Sequence, residues 1–264
     1  MCGYEKSRAA AGSNAMTEIG MEDGATERTQ RIYARLAGFL FLWLIMTGVA
    51  GMLTISRIAG SGTFAETAKR IVESEHLYRL ALCSELVETL SALVLAFALY
   101  ATLKPVNKLL AQMAMYWRIG ESFIGCVGVM FAFAKLHLYS SSQSAAALGN
   151  LQTEALLGLL RQAGVASFNI GAMCFSIGST LFFHLFYKSR YIPRTLSAFG
   201  VFASVVVTVM CFANLIFPQH PAWFQYGWAP MAIAEVATAI WLMFAVKIPA
   251  RSDQPSARGA VTGT

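Results

Sequence analysis

Four carboxylates and one guanidinium stand inside stretches of this chain that are otherwise apolar, and they are the residues best placed to do chemistry. Glu85 and Glu88 lie in the second apolar run, Arg118 and Glu121 in the third, and Glu235 in the sixth. A charged side chain at the centre of a bilayer costs about 2.5–3.5 kcal/mol on insertion scales. Residues of this kind are normally held by partners or by function. Glu85 and Glu88 are three apart and share one helix face, near Ser84, Thr89 and Ser91. Arg118, Glu121, Ser122 and Gly125 follow at i, i+3, i+4 and i+7, one polar and small stripe. In the fourth run Ala172, Ser176 and Thr180 make a small-residue series that allows close helix approach, with Asn169 on the same side. Asn214 in the fifth run completes the candidate cluster of Glu85, Glu88, Arg118, Glu121, Asn169, Asn214 and Glu235.

Helical rise sets the depth of each group. At about 1.5 Å per residue, Glu88 lies roughly 12 Å from the outer end of its run, and Glu121 and Glu235 roughly 20 Å from theirs. Arg118 is about 14 Å from the inner end, within reach of that interface by snorkelling. Asn214 sits in the last turn before Pro218 and is expected to meet water or headgroups, as His184 is at the other side.

Two chemistries fit such a set. Arg118 can pair with one glutamate while the remaining acids are neutral and hydrogen-bonded, so that the cluster glues helices together. Alternatively the acids line a polar cavity or proton path, since carboxyl groups sharing a desolvated site can exchange protons. No nucleophile–base pair accompanies them, which makes an embedded enzyme the weaker third reading. Cys83, Cys126, Cys174 and Cys211 lie singly in apolar runs, Cys2 stands near the start, and the four histidines are scattered. These spacings imply neither a metal nor another cofactor. The net charge of +6 is not gathered into a basic stripe with aromatics, so no nucleic-acid partner is expected.

The elements that must position these groups are the apolar runs themselves. The chain is 56% hydrophobic and 13% charged, about half the charged share of a soluble domain. Runs from Leu36 to Ser56, Leu80 to Leu103, Leu109 to Ala134, Gly164 to Tyr187, Thr195 to Phe217 and Ala222 to Val246 each reach the roughly 20 residues a bilayer core requires. The expected fold is all-α: a polytopic membrane bundle of six transmembrane helices over residues 31–248, with short amphipathic helices in the outer loops. Residues 1–30 and 249–264 hold little to bury and are expected to be disordered cytoplasmic tails. Met16 and Met21 are alternative starts to Met1, and the position and length of the first run argue against a cleavable signal peptide.

Lys and Arg outside the runs divide thirteen to six between the two sides. The richer side takes both termini and the Lys104–Lys108 and Lys188–Arg194 hairpins, which places both termini in the cytoplasm. Prolines 105 and 193 stop the helices there. On the outer side Thr63 and Glu66 form a capping-box pattern before a short amphipathic stretch. Leu151, Ala155, Leu156, Leu159 and Leu160 give one apolar face, expected as a helix lying on the outer interface. Trp223, Trp228 and Trp241 suit the aromatic belts.

Several of these segments resemble a family of bacterial six-helix membrane proteins known as domain of unknown function 4386. They are Ala34-Arg35-Leu36-Ala37-Gly38, Leu99 to Asn107, Arg118 with Glu121, Phe168-Asn169-Ile170-Gly171, and Tyr187 to Leu196. The resemblance covers about residues 31–248 and rests on order and spacing. It implies a multi-pass protein of the bacterial inner membrane, and no activity. A histidine common in the family after the Phe-Asn-x-Gly motif is replaced here by Gly178, which argues against a mechanism that needs it. The leading functional expectation is a site that binds or translocates a small solute or a proton; a scaffold or partner-binding role, with the cluster as glue, is the alternative.

Overall fold

Our computed structural model of the chain describes residues 2–140, 149–217 and 226–248, with side chains from Glu27 onward except Phe64 and Asn150. Every regular element among them is an α-helix: α1 (Cys2–Ala59), α2 (Phe64–Glu73), α3 (Glu75–Leu103), α4 (Lys108–Ser140), α5 (Asn150–Ser189), α6 (Arg194–Ile216) and α7 (Trp228–Phe244). Five of them, α1 from Glu27 onward, α3, α4, α5 and α6, are long and apolar enough to cross a membrane. Helix α7 has 17 residues, about 26 Å at the helical rise. Six membrane-length runs were expected; five helices meet that length, and α7 falls short of it within the described residues.

Local chemistry sets the boundaries. The run of Leu, Ala and Tyr in α3 ends where Lys104 precedes Pro105. The Asn107 side chain accepts the Leu110 N–H at 3.0 Å and so caps α4. The capping box read from the sequence is present: Thr63 N–H donates to Glu66 at 2.9 Å, and Thr63 Oγ1 accepts the Glu66 N–H. That backbone hydrogen bond holds the Glu66 carboxyl below the usual range. Arg70 then reaches back to the carbonyls of Ile58, Ala59 and Ser61, satisfying the end of α1.

Two expectations are corrected. The stretch from Leu151 to Leu160 is not a separate interfacial helix: residues 150–163 are the first turns of α5, which continues unbroken for 40 residues. Ala and Leu propagate a helix readily, and no proline interrupts the stretch. At about 60 Å, α5 is twice as long as a bilayer core is thick. Helix α1 likewise extends back to Cys2, well before the start expected at Leu36. The Ser/Ala-rich segment 141–147, Trp223 and the tail 249–264 lie outside the described residues.

The long helices form a closed ring. Helix α1 packs on α3, α3 on α4, α4 on α5, α5 on α6, α6 on α7, and α7 returns to α1. One core fills the basic end, with Leu95, Leu99, Leu103, Phe186, Ile192 and Leu242 buried together. A smaller one at the far end joins Ile58, Ile71, Tyr78, Leu82 and Leu136. Large apolar side chains such as Met46, Phe123, Met130, Phe202 and Ile233 face outward. Buried Gln30 of α1 ties two helix ends at the basic rim, those of α3 and α5, donating to the Thr102 carbonyl at 2.6 Å and the Tyr191 hydroxyl at 3.0 Å.

Close approach of α1 and α7 depends on Gly38, where an added Cβ would lie 2.7 Å from the Ala239 carbonyl oxygen and 2.8 Å from Met243 Cγ. Gly158 has nothing within 4 Å of that position. Gly38→Val is therefore expected to lower the melting temperature in detergent. Gly158→Ala should raise stability by about 0.5–1 kcal/mol, the usual helix gain over glycine. Equal effects from the two substitutions would contradict this packing.

Candidate functional site

Arg118 projects from the middle of α4 into the ring and is 3% exposed. Its stem lies against Gly178 of α5, where a Cβ would stand 2.9 Å from Arg118 Cγ and 3.0 Å from the Ala114 carbonyl oxygen. The missing side chain at 178 is what lets α4 and α5 close over the arginine. The guanidinium carbon sits 4.6 Å from the centre of the Phe175 ring, a cation–π geometry. Arg118 Nη1 is 3.1 Å from Glu121 Oε2. The contact is ionic in distance but misaligned for hydrogen bonding, since Arg118 Nε and Nη1 and Glu121 Oε2 are all buried without a hydrogen-bond partner. Snorkelling to the interface is ruled out by this burial: the guanidinium stays within the ring.

The remaining acids converge on it from two other helices. Glu235 of α7 lies within electrostatic reach of Arg118, Glu121 and Glu88. Glu88 of α3 interacts in turn with Glu85 and Glu121. Both α3 acids are backed by glycines of α1. A Cβ on Gly48 would meet Glu88 Oε1 at 2.7 Å, and one on Gly51 would meet Glu85 Cγ at 3.5 Å. The i,i+3 spacing of the acids is matched by the i,i+3 spacing of these glycines. Glu85 belongs to the outer edge of the group, where its electrostatic partner is Lys135 of α4, itself in reach of Arg161 of α5.

The two asparagines hydrogen-bond to each other. Asn214 was expected to meet water or headgroups; instead its Nδ2 donates to Asn169 Oδ1 at 3.0 Å, and Asn169 Nδ2 donates to the Val165 carbonyl at 2.8 Å. Ser176 and Thr208 hydroxyls lie 2.7 Å apart on the same seam. The small-residue series of α5 thus faces α6, and Asn169 and Asn214 serve that contact. His184 is exposed.

Space around the charges is scarce. The cavity that touches Arg118 is lined by Phe41, Leu99, Ser179, Phe182 and Phe186 and holds about 10 Å³, the threshold for a single water. Trp228 at the start of α7 extends the aromatic wall, its ring 5.7 Å from those of Phe168 and Phe175. Sequence reasoning missed Gly48, Gly51, Phe175 and Gln30 as parts of the interior. The glycine pair alone left a readable signal, through its spacing.

The ring and the cation are expected to depend on one another. Phe175→Leu and Arg118→Met should each destabilise the protein, and the double variant by less than the sum. A cation–π contact of this kind predicts a coupling of about 0.5–2 kcal/mol, read from a double-mutant cycle of melting in detergent. Zero coupling would mean that Phe175 does not hold the guanidinium.

A sequence model of the family described as Domain of unknown function (DUF4386) matches residues 36–245. No curated protein and no solved structure matches the chain.

Proposed function

The chain belongs to the DUF4386 family, and on that premise we propose that it is a multi-pass protein of the bacterial inner membrane whose interior acids bind a proton. In this reading α7 is the sixth span, thinning the bilayer locally to suit its 17 residues. The rim where α3, α5 and α7 end, richer in Lys and Arg, faces the cytoplasm. A reporter active only outside the membrane should stay silent when fused after Val246 and be active when inserted near Ser142. The reverse pattern would overturn the orientation.

The observation that carries the proton is a mismatch of charge. Glu121 and Glu235 share one guanidinium, and Glu88 lies within electrostatic reach of both acids, so one cation stands among three carboxylates. An isolated ionised carboxylate in a desolvated site is neutralised in preference to being carried uncompensated. The other two acids therefore hold protons or a small cation. The cavity beside Arg118, about 10 Å³, is too small for an organic solute. A second reading is favoured by the tight seat of Arg118 on Gly178 and Phe175: the cluster is helix glue in a scaffold or partner-binding protein. Embedded catalysis is the weaker reading, since the cavity at Arg118, about 10 Å³, is too small for an organic substrate.

Glu88→Gln separates the first two. It keeps size and hydrogen bonding while removing ionisation. In vesicles carrying an internal pH dye, passage of protons through these acids predicts a wild-type response to an imposed pH step that Glu88→Gln abolishes at unchanged melting temperature. Glue predicts that both proteins behave as empty vesicles. Arg118→Gln should destabilise under either reading, by about 3–5 kcal/mol if the value for breaking buried pairs in soluble proteins carries over.

A further inference from the structure

At the basic rim, well away from the interior acids, the turn between α5 and α6 and the end of α7 enclose an open cleft of about 450 Å³. Its wall carries Arg190, Arg194 and Lys247, with Tyr191, Pro193 and Trp241 between them and no acidic side chain. Each cation is placed by a specific feature. Arg190 ends α5 in the left-handed conformation, φ 57°, where glycine is the usual occupant. Arg194 is the first residue of α6, its guanidinium 5.3 Å from the centre of the Tyr187 ring. Lys247 is brought to the turn by its backbone N–H, which donates to the Tyr191 carbonyl at 3.4 Å.

The surroundings also favour an anion. Pro193 precedes α6 and supplies no side-chain cap, so the positive end of that helix opens beside the two arginines. Three cations and a helix N-terminus around one cleft match a group with several acceptor oxygens and negative charge. Arginine forks suit phosphate in particular. Basic pockets between helices at this level are where anionic lipid headgroups bind. The other hairpin on this rim carries Lys104 and Lys108 and lies outside the lining of this cleft.

We propose that the Arg190–Arg194–Lys247 cleft binds a phosphate-bearing anion, presented by an anionic phospholipid or by a soluble phosphate ester. The test uses the full chain in phosphatidylcholine nanodiscs. Retention of phosphatidylglycerol is followed by native mass spectrometry, and binding of glycerol 3-phosphate is titrated separately. The variant is R190G/R194Q/K247Q, and the control is K104Q/K108Q. Arg190→Gly also relieves the left-handed backbone, and alone it serves as the variant should the triple substitution fail to fold. Each basic residue near a membrane surface contributes about a fivefold factor, so the triple variant should bind on the order of a hundredfold more weakly. The control should bind like wild type. Wild-type retention of phosphatidylglycerol, lost in the variant, assigns a lipid headgroup. Binding of glycerol 3-phosphate alone, lost in the variant, assigns a soluble ester. The proposal fails if wild type binds neither, if the triple variant binds as tightly as wild type, or if the control loses as much.

Discussion

A guanidinium enclosed by apolar helices is the constraint around which the interior of this protein is arranged. Arg118 is 3% exposed, and an unpaired charge so placed costs several kcal/mol. The ring offsets that cost in three ways. Phe175 offers the face of an aromatic ring, Glu121 an opposite charge from the same helix, and Gly178 the space in which the aliphatic stem lies. None of these would hold the arginine alone. The Glu121 contact is misaligned, with Arg118 Nε left unpartnered, so the remaining acids at the centre find an electropositive neighbour whose hydrogen-bonding capacity is not used up.

Closure of the ring is what lets one arginine serve acids from α4 and α7 and brings the α3 acid Glu88 beside them. Sequential antiparallel packing with a return contact between α7 and α1 puts every long helix beside the same interior. Helix ends are tied by side chains from elsewhere: Gln30 holds the ends of α3 and α5 at one rim, and Arg70 holds the end of α1 at the other. Both are amide or guanidinium donors aimed at carbonyls or a hydroxyl. Such groups leave the fewest unsatisfied backbone acceptors where water gives way to apolar surroundings.

Polar residues in this ring fall into two kinds with different consequences. Asn169, Asn214, Ser176 and Thr208 satisfy one another across the α5–α6 seam, so they join helices and carry no net charge. The glutamates Glu88, Glu121 and Glu235 outnumber the one guanidinium among them, so packing alone does not satisfy them. The large cleft lies at the basic rim. Interior and rim therefore differ in chemistry, with excess carboxylates at the centre and cations around an open cleft at the edge.

Much of this was legible in the sequence because it is local. Helix length follows from the length of an apolar run, as in α3, α4 and α6. Helix stops follow from Pro105 and Pro193, and the capping box from Thr63 and Glu66. The shared face of Glu85 and Glu88 follows from a spacing of three. These depend on one backbone and its periodicity. The partners across helix interfaces were not legible. That Gly48 and Gly51 back the two acids, that Gly178 makes room for Arg118, and that Asn214 turns to Asn169 are matters of which helix lies opposite and how closely. The unbroken α5 was hidden for a related reason: Leu151 to Leu160 form an apolar stripe that fits a surface helix as well as the first turns of a longer one. Periodicity says which residues share a face; side-chain volumes contributed from distant parts of the chain decide what that face meets, and only the tertiary structure brings them together.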